Sequence, residues 1–218
     1  MKNFLTLSLG LVMLISCGQS TSSSDDGVVY DLVGVEFYNE FIPCVGGSDF
    51  NQENVDKMMK GWRSLNISDD LLGAWGYVPA TEESRFDNGW WELQWESKAE
   101  ADAAWAEWTQ DEEAIAFLAE HESVMVCDGE ARGAWDFTFH RDVESFGPMP
   151  EDGSFFTEFF PCKYNDGKTS ADLMESIALY NEWLDGLEVT GAYAYGIYAG
   201  DGSDELADFW WGNFHESA

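Results

Sequence analysis

The chain has 218 residues, with 42 Asp and Glu against 10 Lys and Arg, and a formal net charge of −32. Such a surface repels nucleic acid and anionic lipid headgroups, so no nucleic-acid partner is expected. Past the N-terminus no stretch approaches the ~20 apolar residues a spanning helix needs, while 11 Trp and 15 Phe can fill a core.

Residues 1–17 read as a targeting segment: Lys2 opens it, and Phe4 to Ile15 is its apolar run. Leu14-Ile15-Ser16-Cys17 resembles a bacterial lipobox, which implies lipidation of Cys17 and membrane attachment by that anchor alone. Gly18 in place of Asp after the Cys implies an outer-membrane address. The alternative is an ordinary signal peptide with an incidental Cys. Residues 18–27 are polar and aperiodic, a tether.

Val29 to Ile42 is rich in β-branched and aromatic residues and reads as a strand ended by Pro43. Asn51 or Ser48 can cap a helix over 52–66, with Val55, Met58, Met59, Trp62 and Leu65 on one stripe. Strands follow at 71–78 and 89–95, joined by a hairpin loop. Ser97 to Glu100 is a capping-box pattern opening a second helix with Trp105 and Trp108. That helix breaks near Gln110-Asp111, with Ile115 and Leu118 beyond. Val124–Cys127 and Trp135–Phe139 supply the last strands. The order β-α-β-β-α-β is the ferredoxin-like pattern.

The pattern then begins again. Phe37 to Cys44 returns as Phe155 to Cys162, 118 residues later, with five of eight positions identical. Gly73 to Tyr77 falls on Gly191 to Tyr195, and with a two-residue insertion Trp90-Trp91 falls on Trp210-Trp211. So long a period indicates a duplicated domain, since solenoid repeats run ~20–50 residues. The expected organisation is a first unit at 28–142, a linker at 143–153 and a second unit at 154–218. The second would hold a strand at 154–161, a helix at 170–185 capped by Thr169 or Ser170, and strands at 189–198 and 207–214. Its helix stripe is Leu173, Ile177, Tyr180 and Leu184. Ser217 aligns with Ser97, so the second unit is expected to lack its last helix and strand here, the natural gene continuing past Ala218.

Cys17 being assigned to lipid, Cys44, Cys127 and Cys162 remain. First and last strands of a ferredoxin-like sheet are neighbours, which allows a Cys44–Cys127 disulfide in an oxidising envelope. Cys162 repeats Cys44, and its partner would lie in the missing part. The competing reading is a catalytic or metal-binding Cys, without a CxxC or nearby His.

Glu40 and Glu158 are the candidate acid–base residues. Each sits mid-strand among aromatics, where desolvation would raise a carboxyl pKa; the alternative is a structural acid. If the two sheets packed face to face, the pair could meet at a pseudo-twofold axis. Trp90, Trp91 and Trp95, with Trp210, Trp211, Asn213 and His215 in the second unit, are the candidate ligand-binding set for a flat or sugar-like molecule, or else core packing. The three His are scattered, so no metal site is expected. Asn165 to Gly167 and Asp201 to Asp204 resemble pieces of calcium loops but read as turns. No cofactor-binding motif is present, and none is expected to bind.

Two ferredoxin-like units in one chain resemble the dimeric α/β-barrel superfamily, which includes antibiotic-biosynthesis monooxygenases, NIPSNAP-like and EthD-like proteins. The resemblance covers residues 28–218 by element order. It implies an α+β fold that forms a pseudo-dimer within one chain, and no residue role comes with it. The block at Glu158 to Cys162, with Asn165 to Thr169 after it, also resembles a signature of uncharacterised secreted bacterial proteins. The expected function is a lipid-anchored envelope protein that binds a small-molecule ligand or a partner without catalysis. The alternatives are a cofactor-free oxygenase or isomerase using Glu40 or Glu158, and a purely structural surface protein.

Overall fold

The computed structural model describes residues 32–81, 88–142, 146–147, 150, 153–188, 191–202 and 204–217. The targeting segment, Cys17 and the tether lie outside them. The fold is mixed α+β, with antiparallel strand pairing and four α-helices among the described residues. Two compact units divide it: Glu40–Gly133, and Ala134–Ala218 together with the stretch ending at Asn39.

In the first unit, β1 (Glu36–Gly46) contributes its residues from Glu40 on. The strand begins later than its β-branched run suggests. Gly34 has φ of 78° in a turn closed by Val35 N–H on the Leu32 carbonyl, and that conformation suits glycine alone. It also runs through Pro43 instead of stopping there. The Pro43 carbonyl accepts from Asp128 N–H, so this position uses the acceptor that proline keeps. Beyond it, Cys44, Val45 and Gly46 pair with Cys127, Val126 and Met125 of β4 (Met125–Cys127).

Helix α1 (Gln52–Trp62) starts where Asn51 accepts from Asn54 N–H, and buries Val55, Met58 and Met59. It ends four residues before the periodicity does. Gly61 is a weak helix former, and the Ser64 hydroxyl donates to its carbonyl, competing with the next helical turn. Strands β2 (Leu71–Tyr77) and β3 (Gly89–Trp95) form the hairpin, with a bulge at Leu71/Gly73. Then α2 (Lys98–Trp108) opens on Ser97, whose hydroxyl accepts from Ala99 N–H, and α3 (Glu112–Glu120) opens on Asp111. Asp111 accepts from Glu113 and Ala114 N–H, which fixes the break between the helices. The strand order is β2-β3-β1-β4.

The second unit contains β5 (Gly133–Phe139), β6 (Phe156–Cys162), α4 (Ser170–Asp185), β7 (Tyr193–Ala199) and β8 (Phe209–His215), in the order β5-β7-β8-β6. Thr169 N–H donates to Asp172, the reach-back bond of a capping box. The α4 stripe packs as its spacing predicts: Ile177 and Leu184 bury against Tyr195, Ile197 and Phe209, flanked by Leu173 and Tyr180. Gly196 on β7 faces the Phe137 ring so closely that a Cβ would lie 2.4 Å from it. Gly196→Ala should therefore cost about 1–3 kcal/mol in a urea melt, as overpacked core sites do.

Burial pushes the His140 imidazole below its ordinary value. The fold thus prefers neutral His140, while the unfolded chain takes up a proton at higher pH. The stabilising preference is fully present above about pH 6.5 and is lost as pH falls toward the lower folded value. His140→Gln should flatten the decline in Tm between about pH 6.5 and 5, measured by thermal melts at fixed ionic strength.

Candidate functional site

Glu40 is 2% exposed, and three donors converge on its carboxylate. Trp95 Nε1 donates to Oε2 at 3.0 Å and Trp105 Nε1 to the same oxygen at 2.6 Å. Arg132 Nε donates to Oε1 at 2.7 Å, forming an ion pair. Strand alternation explains the placement. Glu40 and Ile42 share the β1 face that meets α2, and Trp95 is the last residue of β3. Arg132 follows a 3₁₀ turn at Gly129–Ala131, and its Nη1 bonds the Gly129 carbonyl at 2.6 Å. The guanidinium lies 4.6 Å from the Trp105 ring centroid. An ion-pair partner and two indole donors hold this buried carboxylate in place.

Above this cluster lies a pocket of about 430 Å³ within the first unit. Trp62, Trp91, Trp95, Trp105 and Trp108 line it, with Ile42 and Leu71 from the sheet and Ile115 and Leu118 from α3. Trp62 packs edge-on against Trp91 at 5.1 Å. Charged groups come from Arg132 and from the acids Glu107, Asp111, Asp128 and Glu130, with Asn66, Ser68 and Thr109 as neutral polar neighbours. Cys127 borders the pocket and is disulfide-bonded to Cys44, its register partner.

Of the expected ligand-binding residues, Trp91 and Trp95 line this pocket, and Trp90 stands half-buried beside them on β3. The others belong to the second unit and are engaged within it. Trp211 stacks on Tyr195 at 4.6 Å and 3°, and its Nε1 donates to Asn213 Oδ1 at 2.8 Å. Tyr193 hydroxyl donates to the same oxygen at 2.9 Å and contacts Tyr180 hydroxyl at 3.0 Å. Burial, reinforced by these neighbours, pushes the Tyr193 phenol far up, while the Tyr195 phenol is pushed up to about 12, mainly by burial. Trp210 Nε1 donates to Asp204. Asn213 is thus the hub of a packed network. Asn213→Leu should cost about 2–4 kcal/mol by leaving two donors unpaired, read from chemical denaturation.

Glu158 is exposed on β6, its Oε2 3.5 Å from His215 Nε2, and His215 packs 5.1 Å from the Tyr193 ring. Cys162 is a free thiol pushed up by burial, which disfavours a reactive thiolate.

Sequence reasoning missed Arg132, and it placed Trp62, Trp105 and Trp108 on helix stripes without connecting them to a site. The three Trp carried that signal: helix faces that meet one sheet face. Arg132 carried none beyond being one of few cations.

No family model matches the chain, and no curated protein matches it. Among solved structures it is similar to the chlorite dismutase-like protein TA0507, with 10% identity over 82% of this chain and 79% of that one, at TM-score 0.48. It is also similar to chlorite dismutase from Candidatus Nitrospira defluvii. A point mutant of that enzyme shares 13% identity over 83% of this chain and 76% of that one, at TM-score 0.45. The imidazole complex of the same enzyme gives 12% identity, with the same coverages and TM-score. These likenesses concern the course of the chain, and no residue role is taken from them. The expectation of an envelope ligand binder is corrected: the solved structures similar to this chain are those of chlorite dismutases.

Proposed function

We propose that this chain is a small-molecule enzyme whose substrate, flat and largely apolar, sits in the tryptophan-lined pocket of the first unit. The observation that carries this reading is the Glu40–Arg132 pair, in which buried Glu40 holds the Arg132 that lines the pocket. A fixed ion pair beside an apolar cavity is a preorganised field, the arrangement that stabilises charge developing on a bound molecule. Arg132 spends Nε on Glu40 and Nη1 on Gly129. Among the described residues its Nη2 is left to donate to a substrate oxygen. The apolar Trp walls beside it lower the local polarity, which strengthens that interaction. Glu40 acts by holding Arg132.

The chlorite dismutases are haem proteins. The residues of this pocket do not fit a haem. An axial ligand is a His, a Tyr, a Cys thiolate or a Met paired with another donor, and among the described residues no His or Tyr lines the pocket. Its Cys127 is in a disulfide, and four acids against one Arg oppose the propionates.

Further features support a fuller reading of the chain. Element order and the returning block support two tandem ferredoxin-like units of the dimeric α/β-barrel kind. In each, the first-strand Glu meets the same third-strand position, Glu40 with Trp95 and Glu158 with His215. The Cys44–Cys127 disulfide belongs to an oxidising compartment, which supports the envelope address implied by Leu14 to Cys17.

The test is a fluorescence titration with 2-naphthylmethanol, a flat neutral probe. Saturable tryptophan quenching is expected, abolished by Ala104→Phe or Thr109→Trp, which fill the pocket from α2 and from the residue that ends it without removing a core residue. Quenching that neither variant changes would overturn the reading.

A further inference from the structure

We infer that the substrate of this pocket is an organic cation, a flat apolar molecule carrying an ammonium group. The inference rests on the pocket being the substrate site proposed above, and it names what that site selects. Arg132, the only cation lining the pocket among the described residues, is neutralised by Glu40 at 2.7 Å. The remaining charge of the lining is negative, from Glu107, Asp111, Asp128 and Glu130. Asp111 and Asp128 each use one carboxylate oxygen to cap backbone N–H groups. Glu107 and Glu130 are exposed and have no side-chain partner among the described residues. One is on α2 and the other on the turn after β4.

The walls select in the same direction. Five tryptophans line the space, and an indole attracts a cation more strongly than other aromatic rings do. Arg132 over Trp105 is an instance already built into the floor. Among the described residues no group of three or more His, Cys, Asp and Glu is placed to hold a metal ion. The acids are spread around an apolar space, which suits an ammonium on an apolar body better than a bare ion. An anionic substrate would meet four acidic residues in the lining.

Three naphthalene probes of one size test this: 2-naphthylmethyl-trimethylammonium, neutral 2-naphthylmethanol and anionic 2-naphthylacetate, each titrated at ~0.15 M salt to screen distant charges. The cation should bind about tenfold tighter than the neutral probe, with the anion weakest. The Glu107→Gln/Glu130→Gln variant should lose most of that preference. The control variant Glu175→Gln/Glu182→Gln, on α4 of the second unit, should keep it. All four positions are exposed, so folding is not at stake. If the neutral probe fails to saturate, the pocket reading fails. If it saturates but the cation binds no tighter, or the control loses the preference equally, the cation inference is overturned and the pocket reading stands.

Discussion

Arg132→Met should destabilise the first unit by about 3 kcal/mol, the lower end for breaking a buried ion pair. The lower end applies because the two partners differ in exposure. Glu40 is 2% exposed, so its charge cannot reach water when Arg132 is lost, whereas Arg132 is 30% exposed and recovers hydration when Glu40 is lost. The two indole donors remain on Oε2 and soften the loss, but Oε1 is left bare. Glu40→Gln should cost somewhat less, about 2 kcal/mol, because an amide oxygen still accepts while its NH₂ faces a donor. The double variant should then be clearly more stable than the sum of the two single losses, the signature of direct coupling. Urea unfolding of the four proteins gives this cycle. An Arg132→Met variant within about 0.5 kcal/mol of the parent, on the scale of ordinary surface substitutions, would show that the pair does not anchor the floor.

The second large effect is loss of the Cys44–Cys127 disulfide, which joins residues 83 apart in sequence. Opening a loop of that length returns about 4–5 kcal/mol of chain entropy to the unfolded state on the loop-closure model, and measured losses are typically about 2–4. Cys44→Ala/Cys127→Ala should therefore lower stability by several kcal/mol. The bond also ties the end of β1 to β4, and Met125, Cys127 and Asp128 border the pocket. Naphthylmethanol affinity should fall with stability in that variant, and adding reductant to the parent should reproduce both losses. Reduction without change in Tm would sink this account of the bond.

Several elements were legible in the sequence because their signals are local. Helix α4 lies where its 4, 3, 4 spacing and Thr169 place it, and the Ser97 and Asn51 caps start their helices as expected. Asp111, at the expected break, became a cap in its own right. Strand ends were less legible. Whether Pro43 ends a strand depends on Asp128, a distant donor to its carbonyl, and no local pattern reports that. The site was half legible for the same reason. Glu40 stood out as an acid among aromatics, but its partners are Trp95, Trp105 and Arg132, at separations of 55, 65 and 92 residues, which the strand alone does not report. In the second unit Asn213 and His215 stood in the candidate ligand-binding set, and nothing local in the sequence reports that Asn213 accepts from the Tyr193 hydroxyl and the Trp211 indole.

The measurement that bears most directly on the pocket is an indole N–H spectrum of ¹⁵N-tryptophan-labelled protein, titrated with 2-naphthylmethanol. Each of the 11 tryptophans gives one indole signal, assigned by single Trp→Phe substitutions. The account predicts saturable shifts at Trp62, Trp91, Trp95, Trp105 and Trp108, with Trp210 and Trp211 unmoved. Shifts centred on Trp210 and Trp211, or none at saturating probe, would contradict it.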